Sequence, residues 1–282
     1  MPAPRFSVCE FTSPHTTFEE DLDLLCRHGV EGVGICELKL RAGEEAKQLD
    51  ALHARGLRAA ICIPENIGPL PCEPVFPGPV VIEDRVKAMC ESVERLAPFR
   101  PDSIVVITGS AAGRGVGDAR QAAVDGLRCV ADRAADLGVR LSIEPLRADV
   151  GLDVSFVSTI PETLDLIDEI DRPNIDIAYD VYHLWDTPDV LDLTRRHAQR
   201  FAGVHVCDWR EPPRTFGDRL FPGDGTIDLP AMFGALEDGG FTGWYDLEIF
   251  SDESLPDSLW KLPPEELVGR GKAGFERAWQ GR

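Results

Sequence analysis

Short apolar runs rich in β-branched residues alternate along the chain with longer stretches whose apolar positions recur every three or four residues. That alternation predicts strands separated by amphipathic helices. Eight runs read as strands, at 5–11, 30–36, 57–63, 102–108, 139–144, 174–180, 201–207 and 243–249. Between them the spacing predicts outer helices, for example over 17–27, 83–97 and 118–136. Four segments, HGVEGV, RGLRAA, LGVRLS and GGFTGW, place glycine after a helix and just before a strand, where a left-handed cap is required. Eight such units without a long linker predict one α/β domain over 1–282, a single closed (β/α)8 barrel, although an open doubly wound sheet shares the local pattern. The proline-rich 64–80 and the turn-rich 209–228 both follow strands and are expected to cap the catalytic face.

Composition narrows the partners. The 282 residues carry 49 Asp and Glu against 29 Lys and Arg, a formal charge of −20. Such a balance opposes a polyanion and excludes nucleic acid as the expected partner. The chain has no apolar stretch near the roughly 20 residues that span a bilayer, so a membrane partner is not expected either. No leader-like run precedes Arg5, and the eight cysteines form no CxxC pair; reduced thiols and a cytoplasmic location are the expectation. A homo-oligomer is compatible with the sequence, which shows no heptad or apolar stripe to define an interface.

In a β/α barrel, side chains at the carboxyl ends of the strands share one mouth. Glu144 ends the fifth strand in SIEPL, Asp180 the sixth in IAYD, His205 lies late in the seventh in GVHVCD, and Glu248 ends the eighth run in YDLEIF. Three carboxylates and an imidazole make an oxygen-rich site suited to Mn²⁺, Mg²⁺ or Co²⁺ and compatible with Zn²⁺. The competing explanation for each is a structural carboxylate paired with a neighbouring arginine. It weakens when four consecutive strand ends behave alike. A Lewis acid with two flanking carboxylates can remove and return the proton on a carbon beside a carbonyl, through an enediolate.

The motifs EPL, YDVYH, HVCDWR, GDRLFPGDGTIDLP and WYDLEIF, in this order, resemble the sugar phosphate isomerase/epimerase superfamily of xylose isomerase-like barrels. The likeness extends from the early GVEGVGICELKL to the closing GWYDLEIFSD. It implies that Glu144, Asp180, His205 and Glu248 hold a divalent metal, Mn²⁺ foremost, as in ketose 3-epimerases. It further implies that His183 and Arg210 contact substrate oxygens and that Glu144 and Glu248 exchange protons. The expected function is therefore a metal-dependent isomerase or epimerase of carbohydrate metabolism, acting on a sugar, sugar phosphate or keto-polyol. The alternatives are a lyase like the inosose dehydratases or the cleavers of carbon–glycoside bonds, and, further off, a noncatalytic sugar-binding barrel. An endonuclease branch of the same barrel needs many histidines and a basic face, against six histidines and a −20 charge. The chain departs from the epimerase pattern in PLRADVG, where the second acidic substrate contact has no clear match beyond Asp149.

Other residues carry open readings. Trp185 and Trp209 lie beyond strand ends, where a ring can stack on a sugar; Trp244 does not. Arg210 either meets a substrate oxyanion or pairs with Asp208. Glu65 is a further candidate for the mouth, with solvation as its alternative, and Lys39 reads as solvated. The GDRLFPGDG turn lacks Walker spacing and reads as loop shaping before a helix from Asp228. Cys9, Cys36, Cys62 and Cys207 read as packing within strands.

Overall fold

The computed structural model describes residues 3–149 and 152–282. Its main sheet is parallel and runs in a ring. The strands are β1 (Arg5–Cys9), β2 (Gly32–Gly34), β3 (Arg58–Ala59), β4 (Ile61–Cys62), β5 (Ser103–Val106), β6 (Leu141–Ile143), β7 (Ile175–Asp180) and β8 (Phe201–Val206). A small antiparallel pair, β9 (Asp208–Trp209) and β10 (Arg219–Leu220), sits outside the ring, and β11 (Trp244–Leu247) completes it. The hydrogen-bonded order is β3-β2-β1-β11-β8-β7-β6-β5-β4.

Two of these nine strands form one barrel position, because only Ala60 separates β3 from β4. Ala60 donates its N–H to Val33 on one side and accepts from the N–H of Asp102 on the other. The ring thus closes through eight strand positions, as the sequence pattern predicts.

Outside the ring lie α1 (Phe18–Arg27), α2 (Glu45–Ala54), α3 (Ile82–Leu96), α4 (Val116–Asp136), α5 (Ile160–Ile170), the short α6 (Val181–Leu184), α7 (Val190–His197), α8 (Leu229–Asp238) and α9 (Pro264–Gln280). Their starts are set chemically: Thr17 and Glu20 form a reciprocal capping box at α1, while Thr159 and Asp228 cap α5 and α8, satisfying donors that a helix leaves open. Their ends follow the glycines. Gly29, Gly56, Gly138 and Gly240 all have positive φ. After α3 and α5 the same turn is made by Arg100 and Asp171, which no glycine signals in advance. Among the described residues no helix is long and apolar enough to cross a membrane.

The large core lies between ring and helices, and a second apolar cluster lies inside the ring. Along β11, alternate residues face inward at three depths: Trp244 at the bottom, Asp246 in the middle, Glu248 at the top. A side chain on Gly32 would collide with the Trp244 indole and one on Gly203 with Ile61, so Gly32 lets the indole floor the barrel and Gly203 makes room for Ile61. Cys9, Cys36, Cys62 and Cys207 are buried within this packing, and burial pushes the Cys36 thiol up to about 12.

Candidate metal centre and active site

The local fold at each strand end aims one polar side chain inward. Glu144 precedes a proline, which keeps its backbone extended, and its N–H bonds to Val106 across the sheet. Asp180 caps the short helix α6, its Oδ1 accepting from the Tyr182 N–H at 2.8 Å. His205 pairs in register with Asp180 on one side and Asp246 on the other. Glu248 donates its N–H to Val206.

The four side chains meet. Glu144, Asp180, His205 and Glu248 are all buried, and each offers a ligand atom within 4.8 Å of the others'. His205 Nδ1 stands 2.8 Å from Glu144 Oε1 and 3.7 Å from Glu248 Oε2. The main opposing charge is Arg219, whose Nη1 donates to Asp180 Oδ2 at 3.0 Å and Glu248 Oε2 at 2.9 Å.

Electrostatics show a shortage of positive charge. Burial pushes Glu144 up to about 7 despite the neighbouring imidazole, and it raises Asp180 despite Arg219. Burial pulls His205 down, but Glu248 and Glu144 outweigh it and carry the imidazole up to about 10. Concentrated buried carboxylates ionise only with a strong countercharge nearby. A divalent cation supplies one, and the donor set of three carboxylate oxygens and one imidazole fits it.

His183 lies beside the cluster, its Nε2 3.6 Å from Asp180 Oδ2. Burial, with Arg219 and Arg147 beside it, holds its imidazole well below the usual range. A neutral ring is thereby available to hydrogen-bond a ligand.

Arg210, Trp185 and Glu65 stand elsewhere. Arg210 donates to Asp218 at 3.0 Å and pairs with Asp257, which hold it outside the cavity. Trp185 packs on Trp209, and Trp209 in turn carries the Arg147 guanidinium 4.0 Å above its ring. Glu65 is exposed, with only its backbone N–H turned inward, to Glu37 Oε2 at 2.7 Å. Asp149 pairs with Arg147 and is largely exposed. Lys39, read as solvated, is instead mostly buried in a salt bridge with Asp21.

The guanidinium that reaches the cluster is that of Arg219, which the sequence reading does not single out as a contact. Asp208 organises its loop by accepting from the N–H groups of Trp209, Gly223 and Ile227. Gly225 packs so closely on this carboxylate that a Cβ would come within 2.4 Å of Oδ1. The turn thereby sets the short β9/β10 ladder, in which Arg219 pairs with Trp209, and the guanidinium reaches inward over the Tyr182 ring at 4.4 Å. Its one advance signal is its place in GDRLFPGDG, beyond the reach of any local period.

Asp246 is the second residue missed. It lies one strand repeat below Glu248, fully buried, with an oxygen 3.9 Å from His205 Nε2. Burial pushes its carboxyl up to about 7, with His205 opposing. The imidazole thus has the ligand cluster at Nδ1 and, beyond Nε2, a buried carboxylate that it faces without a hydrogen bond; a carboxylate on that side of a metal-binding histidine can orient its ring. A cavity of about 630 Å³, counting its open mouth, is bounded on one side by Glu144, Arg147, His183, Arg219 and Glu248.

Comparison with known proteins agrees with this architecture. Residues 22–277 match the model of the xylose isomerase-like TIM barrel. Among curated relatives, the inosose isomerase of Bacillus licheniformis is 28% identical over 159 residues, covering 55% of this chain and 54% of that protein. The inosose dehydratase of Geobacillus thermodenitrificans is 29% identical over 147 residues, 47% of each chain. The ketose 3-epimerase of Arthrobacter globiformis is 28% identical over 134 residues, 47% of this chain and 43% of that one. The chain spans about half the length of these relatives. Protein SMc04130 of Sinorhizobium meliloti 1021 superposes with a TM-score of 0.85 at 26% identity, covering 97% of this chain and 98% of that one. An IOLI protein with a bound zinc atom superposes at 0.79 over 97% of both chains, and its 18% identity speaks to the fold alone. With a matched region that takes in all eight strand ends but the first, the chain belongs to the xylose isomerase-like TIM barrel family.

Proposed function

We propose that this protein is a divalent-metal-dependent isomerase or epimerase that moves a proton on a carbon beside the carbonyl of a sugar, sugar phosphate or keto-polyol. The observation that carries the proposal is the convergence of Glu144, Asp180, His205 and Glu248 from four neighbouring strand positions. These four are the proposed ligands, with Mn²⁺ the first choice. When bound, the cation supplies Lewis acidity toward a carbonyl oxygen and its neighbouring hydroxyl.

The protein's own groups supply the rest. Glu144 and Glu248 reach the cluster from separate strands, so one carboxylate takes the proton and the other returns it. Return to the opposite face gives an epimer; return to the neighbouring carbon exchanges aldose and ketose. Arg219 and His183 line the same side of the cavity and are the proposed contacts for substrate oxygens. Names of the relatives, isomerase and epimerase among them, support the reaction class.

The test is proton NMR in deuterated water across a panel of ketoses and keto-inositols. Metal-dependent loss of a C–H signal supports the reading, and exchange that persists undiminished in both Glu144→Gln and Glu248→Gln would remove these residues from the chemistry. A second reading, a lyase, draws on the match to an inosose dehydratase. An ultraviolet-absorbing unsaturated ketone among the products favours it over isomerisation.

A further inference from the structure

The cavity has two unlike sides. All of its described polar lining belongs to the metal-facing side, namely Glu144, Arg147, His183, Arg219 and Glu248. Opposite them, Ile63, Val105 and Ile107 rise from the third and fourth strand positions as an apolar floor. Phe11, Phe76, Phe216 and Phe250 form the walls, and every other described lining side chain is apolar too. These four rings come from separate segments yet form a continuous arc. Phe11 lies 4.8 Å from Phe250 and 6.3 Å from Phe76 between centroids, and Phe216 lies 6.3 Å from Phe250.

The rings are only half-buried, so they keep apolar area available to an occupant. A polyol chain directed here meets no described side chain able to accept or donate a hydrogen bond. Each hydroxyl stripped of water against such a wall costs about tenfold or more in affinity. A phosphate fares no better. Among the described residues the lining cations are Arg147, held by Asp149 and Asp186, and Arg219, held by Asp180 and Glu248, and none is a lysine. A flat ring suits the arc because aromatic faces pack against one another at these spacings.

Resting on the proton transfer proposed above and narrowing its substrate, we infer that the substrate is a sugar- or polyol-derived α-hydroxy ketone that carries a flat apolar group, such as an aromatic substituent, where an unsubstituted sugar would carry further hydroxyls or a phosphate. The hydroxy ketone faces the carboxylates, and the apolar group lies in the phenylalanine arc.

Isothermal titration of the Mn²⁺-loaded protein tests this with two ketones that share the hydroxymethyl ketone head, 1-hydroxy-3-phenylpropan-2-one and erythrulose. The expected result is binding of the phenyl ketone about tenfold tighter or more. Phe76→Ser and Phe250→Ser, each at a half-buried position, should shrink that preference while circular dichroism stays unchanged. Erythrulose binding as tightly as the phenyl ketone overturns the inference and leaves the metal chemistry standing. A preference that survives intact in both variants overturns the placement of the ring. Failure of both ketones to bind the loaded protein sinks the metal–hydroxy ketone reading, and this inference falls with it.

Discussion

The two sides of the barrel mouth are built from the same repeating unit and solve opposite problems. Strand positions five to eight end in Glu144, Asp180, His205 and Glu248, buried polar groups that hold one another at high electrostatic cost. Positions three and four end in Ile63, Val105 and Ile107, which pack in the interior at no such cost. A barrel can therefore keep a demanding reaction centre on one side because the other side stays an ordinary core. On the proposed reading, chemistry belongs to the polar side and recognition to the apolar one.

Substitutions should separate the two roles. The largest expected effect is on the polar side: Glu248→Gln should slow metal-dependent C–H exchange by about 10²–10⁴-fold, the range of general acid–base catalysis. Proton NMR reads the rate, and an unchanged rate would break the division at its strongest point.

On the apolar side, Ile107→Ala removes a fully buried side chain from the inner cluster. It should destabilise the fold by about 2–5 kcal/mol while leaving bound metal unchanged. Chemical denaturation and metal analysis of one preparation report both. Metal loss in the folded variant would show that the two sides are coupled.

Asp246 tests how far the polar side extends downward. Asp246→Asn should weaken metal binding by about 10–100-fold through the freed orientation of His205, with Asp246→Glu closer to the parent. Competition with a chelating dye measures it. Equal affinity in the parent and Asp246→Asn would leave Asp246 without a part in the centre.

The smallest effect concerns pH. Glu144 is raised from its usual 4.5 to about 7 in the metal-free fold, so below that value it holds a proton that metal must displace. Apparent affinity should therefore rise from pH 5.5 to pH 8, and metal should raise Tm more at the higher value. In the metal-free protein the same raised carboxyl works against folding, and its destabilising contribution grows as pH rises from about 4.5 through 7. A metal-induced Tm shift that does not change with pH would contradict this sign.

How legible this was depended on how local each feature is. Strand alternation, the capping box of Thr17 and the glycine stops are set by neighbours a few residues apart, so the eight-unit barrel could be read from the chain. The candidate ligands share a local signature, a polar residue at the end of an apolar run. Arg219 has none: its partners Asp180 and Glu248 lie 39 and 29 residues away, and only the turn around Asp208 brings it inward. Arg210 lies nearer His205 in the sequence, but Asp218 and Asp257 hold its guanidinium. Asp246 is spaced two residues from Glu248, a relation visible only once strand facing is known. The phenylalanine arc was invisible for the same reason as Arg219, since Phe11, Phe76, Phe216 and Phe250 meet only when the barrel closes.

The central claim is that four strand ends form a metal centre. Plasma mass spectrometry of the parent protein beside Asp180→Ala, both purified without chelators and reconstituted with Mn²⁺, tests it most directly. The account predicts near-stoichiometric metal in the parent and its loss in a variant that remains folded. No retained metal in the parent, or equal metal in both proteins, would contradict it.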